Sequence, residues 1–131
     1  MNKEQLTNAL AHCTGTEGYT RHSPMMPNFL LTDGAKCFAD NAGGGAHWLM
    51  DILGSEPKIK KLVLEKGIGF VRLTVIDGSA VLTVEEDEGI PPVFRRKIGM
   101  TDCPEGKWML YLQAAAIENP GQIVCMVPSE Y

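Results

Sequence analysis

A thiol and two imidazoles are the first candidates for chemistry in this chain. Cys37 stands beside Lys36 in the opening turns of an expected helix, a setting that lowers a thiol pKa, and His47 or His22 would have to serve as its base. Cysteine hydrolases of the papain type place that histidine on a strand downstream, and no histidine follows His47 here. The expectation is therefore a thiol packed under a loop. A small cysteine-dependent enzyme using Cys37 with His22 or His47 stands as the alternative.

Carboxylates offer a second chemistry. Glu17, Asp33 and Asp51 with His22 are ligand types that suit a divalent cation. Their spacing supports simpler roles: Asp33 as a helix cap, Glu17 as a loop charge and Asp51 on the polar side of a helix. The run Glu85, Glu86, Asp87 and Glu88 lacks the alternating order of a calcium loop and reads as a solvated, acidic strand end. Cys13, Cys37, Cys103 and Cys125 are scattered, without a C-x-x-C pair, so neither a zinc site nor a disulfide framework is signalled. No metal and no cofactor are expected. Gly43-Gly44-Gly45 lacks the lysine and preceding strand of a phosphate cradle.

Binding is the remaining chemistry. Tyr19, Arg21 and His22, read as a loop close to the start of a helix, form the kind of aromatic and arginine cluster enriched at interface hot spots. Glu17, Asp33 and Asp51 complete the expected binding set, with Arg21 also able to pair with Glu17 or Asp33. The basic clusters Lys58, Lys60, Lys61 and Arg95, Arg96, Lys97 are not interleaved with aromatics along the chain, and the net charge is −4. Both features argue against a nucleic-acid partner.

These residues must be positioned by elements that the hydrophobic pattern announces. At 131 residues the chain has the length of one domain, helical over 1–65 and a sheet over 66–131. Leu6, Ala9, Leu10 and Cys13 form one stripe of a first helix running over Lys3 to His12, which Gly15 stops. Thr32 or Asp33 caps a second helix that buries Ala35, Phe38, Ala39 and Ala42 and ends at the three glycines. Trp48, Leu49, Ile52 and Leu53 line a third, ended by Gly54. Ser55 then caps a fourth, which opens at Pro57 and buries Ile59, Leu62 and Val63.

From Gly67 the period changes to two, and Asp77-Gly78 sits where a type I′ turn belongs. Counting outward pairs Ile76 with Ser79 and ends with Val71 opposite Val84. One hairpin face then carries Val71, Leu73, Val75, Ala80, Leu82 and Val84. Further strands are expected at Val93 to Met100, with Phe94, Ile98 and Met100 on one side and Arg95 and Lys97 on the other, and at Trp108 to Gln113 and Gln122 to Val127. An Asn119-Pro120-Gly121 turn joins the last two. The predicted fold is α+β, with N-terminal helices packed on a four- to five-stranded antiparallel β-meander.

Gly15-Thr16-Glu17, Arg21-His22, Thr32-Asp33-Gly34, Trp48-Leu49-x-Asp51, Thr101-Asp102-x-Pro104 and Pro128-Ser129-Glu130-Tyr131 together resemble a bacterial domain-of-unknown-function family from about Leu10 to Tyr131. The chain departs from that pattern at Thr20, Leu31 and the extra glycines around Gly44. The resemblance implies a small cytosolic protein of the kind carried by phages, plasmids and other mobile elements. It leads to the expectation of a non-catalytic regulatory protein, monomer or homodimer, that binds another protein, such as an inhibitor of a CRISPR effector. A polar N-terminus and the lack of a long apolar run speak for the cytoplasm and against a membrane role. A self-associating structural protein, pairing edge strands or the surface around Trp108 and Met109, is the remaining alternative.

Overall fold

Helices and strands follow in the order α1 (Lys3–Ala11), β1 (Thr20–Ser23), β2 (Met26–Leu31), α2 (Asp33–Asn41), α3 (His47–Ser55) and α4 (Pro57–Lys66). Then come β3 (Ile68–Ile76), β4 (Ser79–Glu85), β5 (Phe94–Ile98), β6 (Gly106–Ala114), β7 (Ile123–Met126) and a 3-10 turn at Pro128–Glu130. These elements belong to a computed structural model that describes residues 1–13, 18–87, 90–114 and 121–130. Gly15, Glu17, Glu88 and the Asn119-Pro120 part of the expected turn lie outside the described residues.

The β3–β4 hairpin has the expected register, from Ile76 opposite Ser79 to Val71 opposite Val84. Asp77 and Gly78 have φ of 51° and 75°, the left-handed pair that a type I′ turn requires. The rest of the sheet corrects the expected meander. It has seven strands in the order β1-β2-β7-β6-β3-β4-β5, and it is mixed, because β2 runs parallel to β7. After β6 the chain returns antiparallel as β7, which inserts beside β2 instead of extending the open edge. The helices do not all precede the strands either, since β1 and β2 separate α1 from α2.

Strand alternation sorts the side chains between two faces. Val71, Leu73, Leu82, Trp108, Leu110, Leu112 and Cys125 are buried with Phe38, Leu49, Leu53, Ile59 and Val63 of the helices in one core. The opposite face carries Phe70, Arg72, Met109 and Tyr111, and no described helix covers it. Trp108 and Met109 thus point to opposite faces. Trp108 is buried, donates from Nε1 to the Pro104 carbonyl at 2.8 Å and meets Phe38 edge to face, so it offers no surface for self-association.

Helix ends follow local chemistry. The Asn2 side chain accepts from the Gln5 N–H while the Gln5 side chain accepts from the Asn2 N–H, a reciprocal cap on α1. Thr32, not Asp33, is the N-cap of α2, and its hydroxyl accepts from the Ala35 N–H at 3.2 Å. Ser55 does not cap α4; it is the last residue of α3 and donates to the Asp51 carbonyl, leaving Glu56 to precede Pro57 without a side-chain cap bond. Gly54 does not end α3 but lies buried inside it. Met100 lies past the end of β5 and is 90% exposed, so it does not share the strand side of Phe94 and Ile98.

Candidate functional site

Two imidazoles and two carboxylates form a polar array across β1, α2 and α3. On β1, Arg21 pairs with Leu30 on the uncovered sheet face, and alternation turns His22 toward the helices. The expected Tyr19, Arg21 and His22 loop is therefore corrected: Thr20 opens a strand, and its pleat separates Arg21 from His22. Asp51 lies one turn beyond His47 on α3, and Asp40 lies in the last turn of α2. His22 Nε2 meets Asp51 Oδ1 at 2.7 Å. His47 Nε2 meets Asp40 Oδ1 at 3.0 Å, and Lys36 Nζ meets Asp40 Oδ2 at 2.6 Å. The two imidazoles stack with centroids 6.0 Å apart, and Phe29 meets His22 edge to face.

The array buries one imidazole, His22, and leaves the other, His47, at the surface with its Nε2 on Asp40. A general base must reach the proton that it removes. The His22 side chain is only 6% exposed, and its Nε2 is taken up by Asp51. Its geometry ties β1 to α3. The hydrogen bond from Lys36, followed by the charges of Lys36 and His47, holds the Asp40 carboxyl below its ordinary range.

The other short motifs resolve into carboxylate and hydroxyl caps between distant segments. Thr32 donates its hydroxyl to Glu130 Oε1 at 2.6 Å, while the Gly34 N–H donates to Oε2 at 3.2 Å and the Val127 N–H to Oε1 at 3.1 Å. A Cβ on Gly34 would lie 2.5 Å from both Glu130 Oε1 and Val127 Cγ2, so only glycine lets the carboxylate reach the first turn of α2. Ser129 donates to the carbonyls of Leu10 and Cys13 at the end of α1. Asp102 accepts from the Gly44 N–H at 2.7 Å, and it sits so close that a Cβ on Gly44 would lie 2.7 Å from its Oδ2 and one on Gly43 2.8 Å from its Cγ.

Among the thiols, Cys125 is buried and pushed far up by desolvation. Burial and the neighbouring Asp102 push Cys103 up to about 11, and burial, then Cys37, raises Cys13. Cys37 is half-buried and faces Asn41 Nδ2 at 3.7 Å. Among the described residues no imidazole is hydrogen-bonded to it, because His22 and His47 turn to Asp51 and Asp40.

The expected binding set is thus divided. His22 and Asp51 come together, Arg21 lies on the other side of the sheet, Tyr19 is 60% exposed ahead of β1, and Asp33 stands in the first turn of α2. Glu85 approaches Arg72 at 4.0 Å and Glu86 approaches Lys66 at 3.4 Å. Asp87, beyond the end of β4, is exposed. No group of three or more His, Cys, Asp or Glu side chains gathers as a metal site among the described residues. No described helix is long and apolar enough to cross a membrane.

A groove of about 340 Å³ opens between the β1–β2 turn and helices α3 and α4, lined by Met25, Met26, Phe29, Lys60, Leu64 and Ile123 among others. Gly54 lets α3 pack closely on the β2 side chains that line it: a Cβ there would lie 2.7 Å from Met26 Sδ and from Phe29 Cδ2. Met25 is 90% and Leu64 48% exposed at its rim. The sequence reading missed this site. Its signals were two methionines between Pro24 and Pro27, and Leu64 standing outside the Ile59, Leu62 and Val63 stripe.

The chain is 29% identical over 85 residues to WD repeat-containing protein JIP5 of Coprinopsis cinerea. The match takes in 65% of this chain and 21% of that protein's length. No solved structure is significantly similar to it. Over residues 4–131 the chain matches the model of a family of unknown function (DUF6876), and it belongs to that family.

Proposed function

We propose that the chain is a non-catalytic regulatory protein that takes a segment of another protein into the groove between the β1–β2 turn and α4. The observation that carries this reading is the exposed pair Met25 and Leu64 at the rim of an apolar recess. Covering apolar surface releases about 25 cal/mol per Å², and methionine side chains adapt to varied partners. Lys60 stands in the lining, with Lys58 and Lys61 exposed on the same helix. The matching segment therefore carries an apolar anchor beside a carboxylate. In its most specific form, resting on the sequence resemblance, the partner is a component of a bacterial defence complex and the chain is its inhibitor, encoded by a mobile element.

Random peptide display against the full chain tests the reading. Enriched peptides should share an apolar residue next to Asp or Glu, and the exposed-site variants Met25→Glu and Leu64→Glu should lose them. Enrichment indifferent to both substitutions would overturn it. A homodimer dissociated by the same substitutions would place a second copy in the groove and also overturn it.

A further inference from the structure

Strand pairing gathers aromatic rings and cations from β3, β5 and β6 on the sheet face that no described helix covers. Phe70 on β3 and Tyr111 on β6 are paired neighbours, with ring centroids 5.3 Å apart at 86°. The next row along the strands, about 7 Å away by strand geometry, runs Met109, Arg72, Thr83, Arg95. The row after it runs Lys107, Thr74, Val81, Lys97. Arg21 lies on the same face through its pairing with Leu30. Against Arg21, Arg72, Arg95, Lys97 and Lys107 the paired strands set one carboxylate on this face, Glu85. Five cations less one anion leave this face at +4 in a chain whose net charge is −4.

We infer that this face binds a single-stranded nucleic acid, with bases against Phe70 and Tyr111 and phosphates along Arg72, Arg95, Lys97 and Lys107. Aromatic side chains give sequence-tolerant π-faces, and a cationic track neutralises the backbone beside them. An acidic peptide fits less well. β3 and β6 are hydrogen-bonded to neighbours on both sides, so no strand can be added there and recognition passes through side chains alone. A flat base covers an aromatic ring; a carboxylate side chain does not. This surface lies on the opposite side of the sheet from the α4 groove, so the two proposals stand or fall separately.

Fluorescence anisotropy of the full-length chain with labelled dT12 and U12 tests the inference. Binding should weaken steeply with salt. The exposed double variant Arg95→Glu/Lys97→Glu should weaken it further and flatten the log–log salt slope by about 1.4, the loss of two phosphate contacts. Phe70→Leu, which keeps apolar bulk and removes the π-face, should cost about tenfold. Absence of binding at 50 mM salt would overturn the inference. So would binding that all these substitutions leave unchanged. Displacement of the oligonucleotide by oligo-glutamate as effectively as by unlabelled dT12, with Phe70→Leu silent, would reduce the face to a polyanion attractor and overturn it as well.

Discussion

The Glu130 carboxylate accepts from the Thr32 hydroxyl and from the Gly34 and Val127 N–H groups, ninety-eight residues of sequence separating it from Thr32. Replacing it by Ala leaves three donors without that acceptor, and urea denaturation should show a loss of about 2–3 kcal/mol. Gly34→Ala should cost about 1–3 kcal/mol by forcing the carboxylate and Val127 away. The thiols make a second residue-scale prediction. With Cys103 pushed up to about 11, roughly a thousandth of it is thiolate at pH 8. Cys103, Cys125 and Cys13 should therefore alkylate slowly with iodoacetamide in the folded chain, as read by peptide mass spectrometry. For Asp40 the folded pKa is depressed, so its stabilising contribution is complete above the ordinary value near 3.8 and is lost as pH falls through the lower folded value. Wild type and Asp40→Asn should differ in thermal stability at pH 6 and converge near pH 2.

At the scale of elements, local patterning made the β3–β4 hairpin readable residue by residue, because one strong turn and strict alternation fix a register. The β1–β2 hairpin had no such signal. It is short, Pro24 and Pro27 bracket its turn, and the pairing that orders β2 comes from β7, with Phe29 opposite Ile123. The same non-locality hid the meaning of Thr32-Asp33-Gly34, whose acceptor arrives only with the last turn of the chain. At the opposite edge, β5 places exposed Arg96 between Phe94 and Ile98 on the core-facing side. An inward charge on an edge strand blocks pairing with another copy. Arg96→Val should therefore raise the apparent mass in light scattering at high protein concentration, while Arg95→Val, on the other face, should raise it less.

At the scale of the whole molecule, one sheet separates a helix-covered core from a cationic and aromatic face that no described helix covers, and the groove opens on the helical side. Neither surface was legible in the sequence. Phe70 meets Tyr111, and Arg95 and Lys97 join Arg72 and Lys107 on their face, only through strand order. Met25 and Leu64, far apart in sequence, come to line one recess. The candidate residues that were legible, His22 and Asp51, turn out to brace β1 against α3.

The most direct test of the binding account is an amide chemical-shift titration of the full-length chain with a peptide selected by display. Perturbations confined to Met25–Phe29, Gly54, Lys60–Leu64 and Gly121–Ile123 are the predicted result. Perturbations centred on Cys37 and His47, with the groove unmoved, would contradict it.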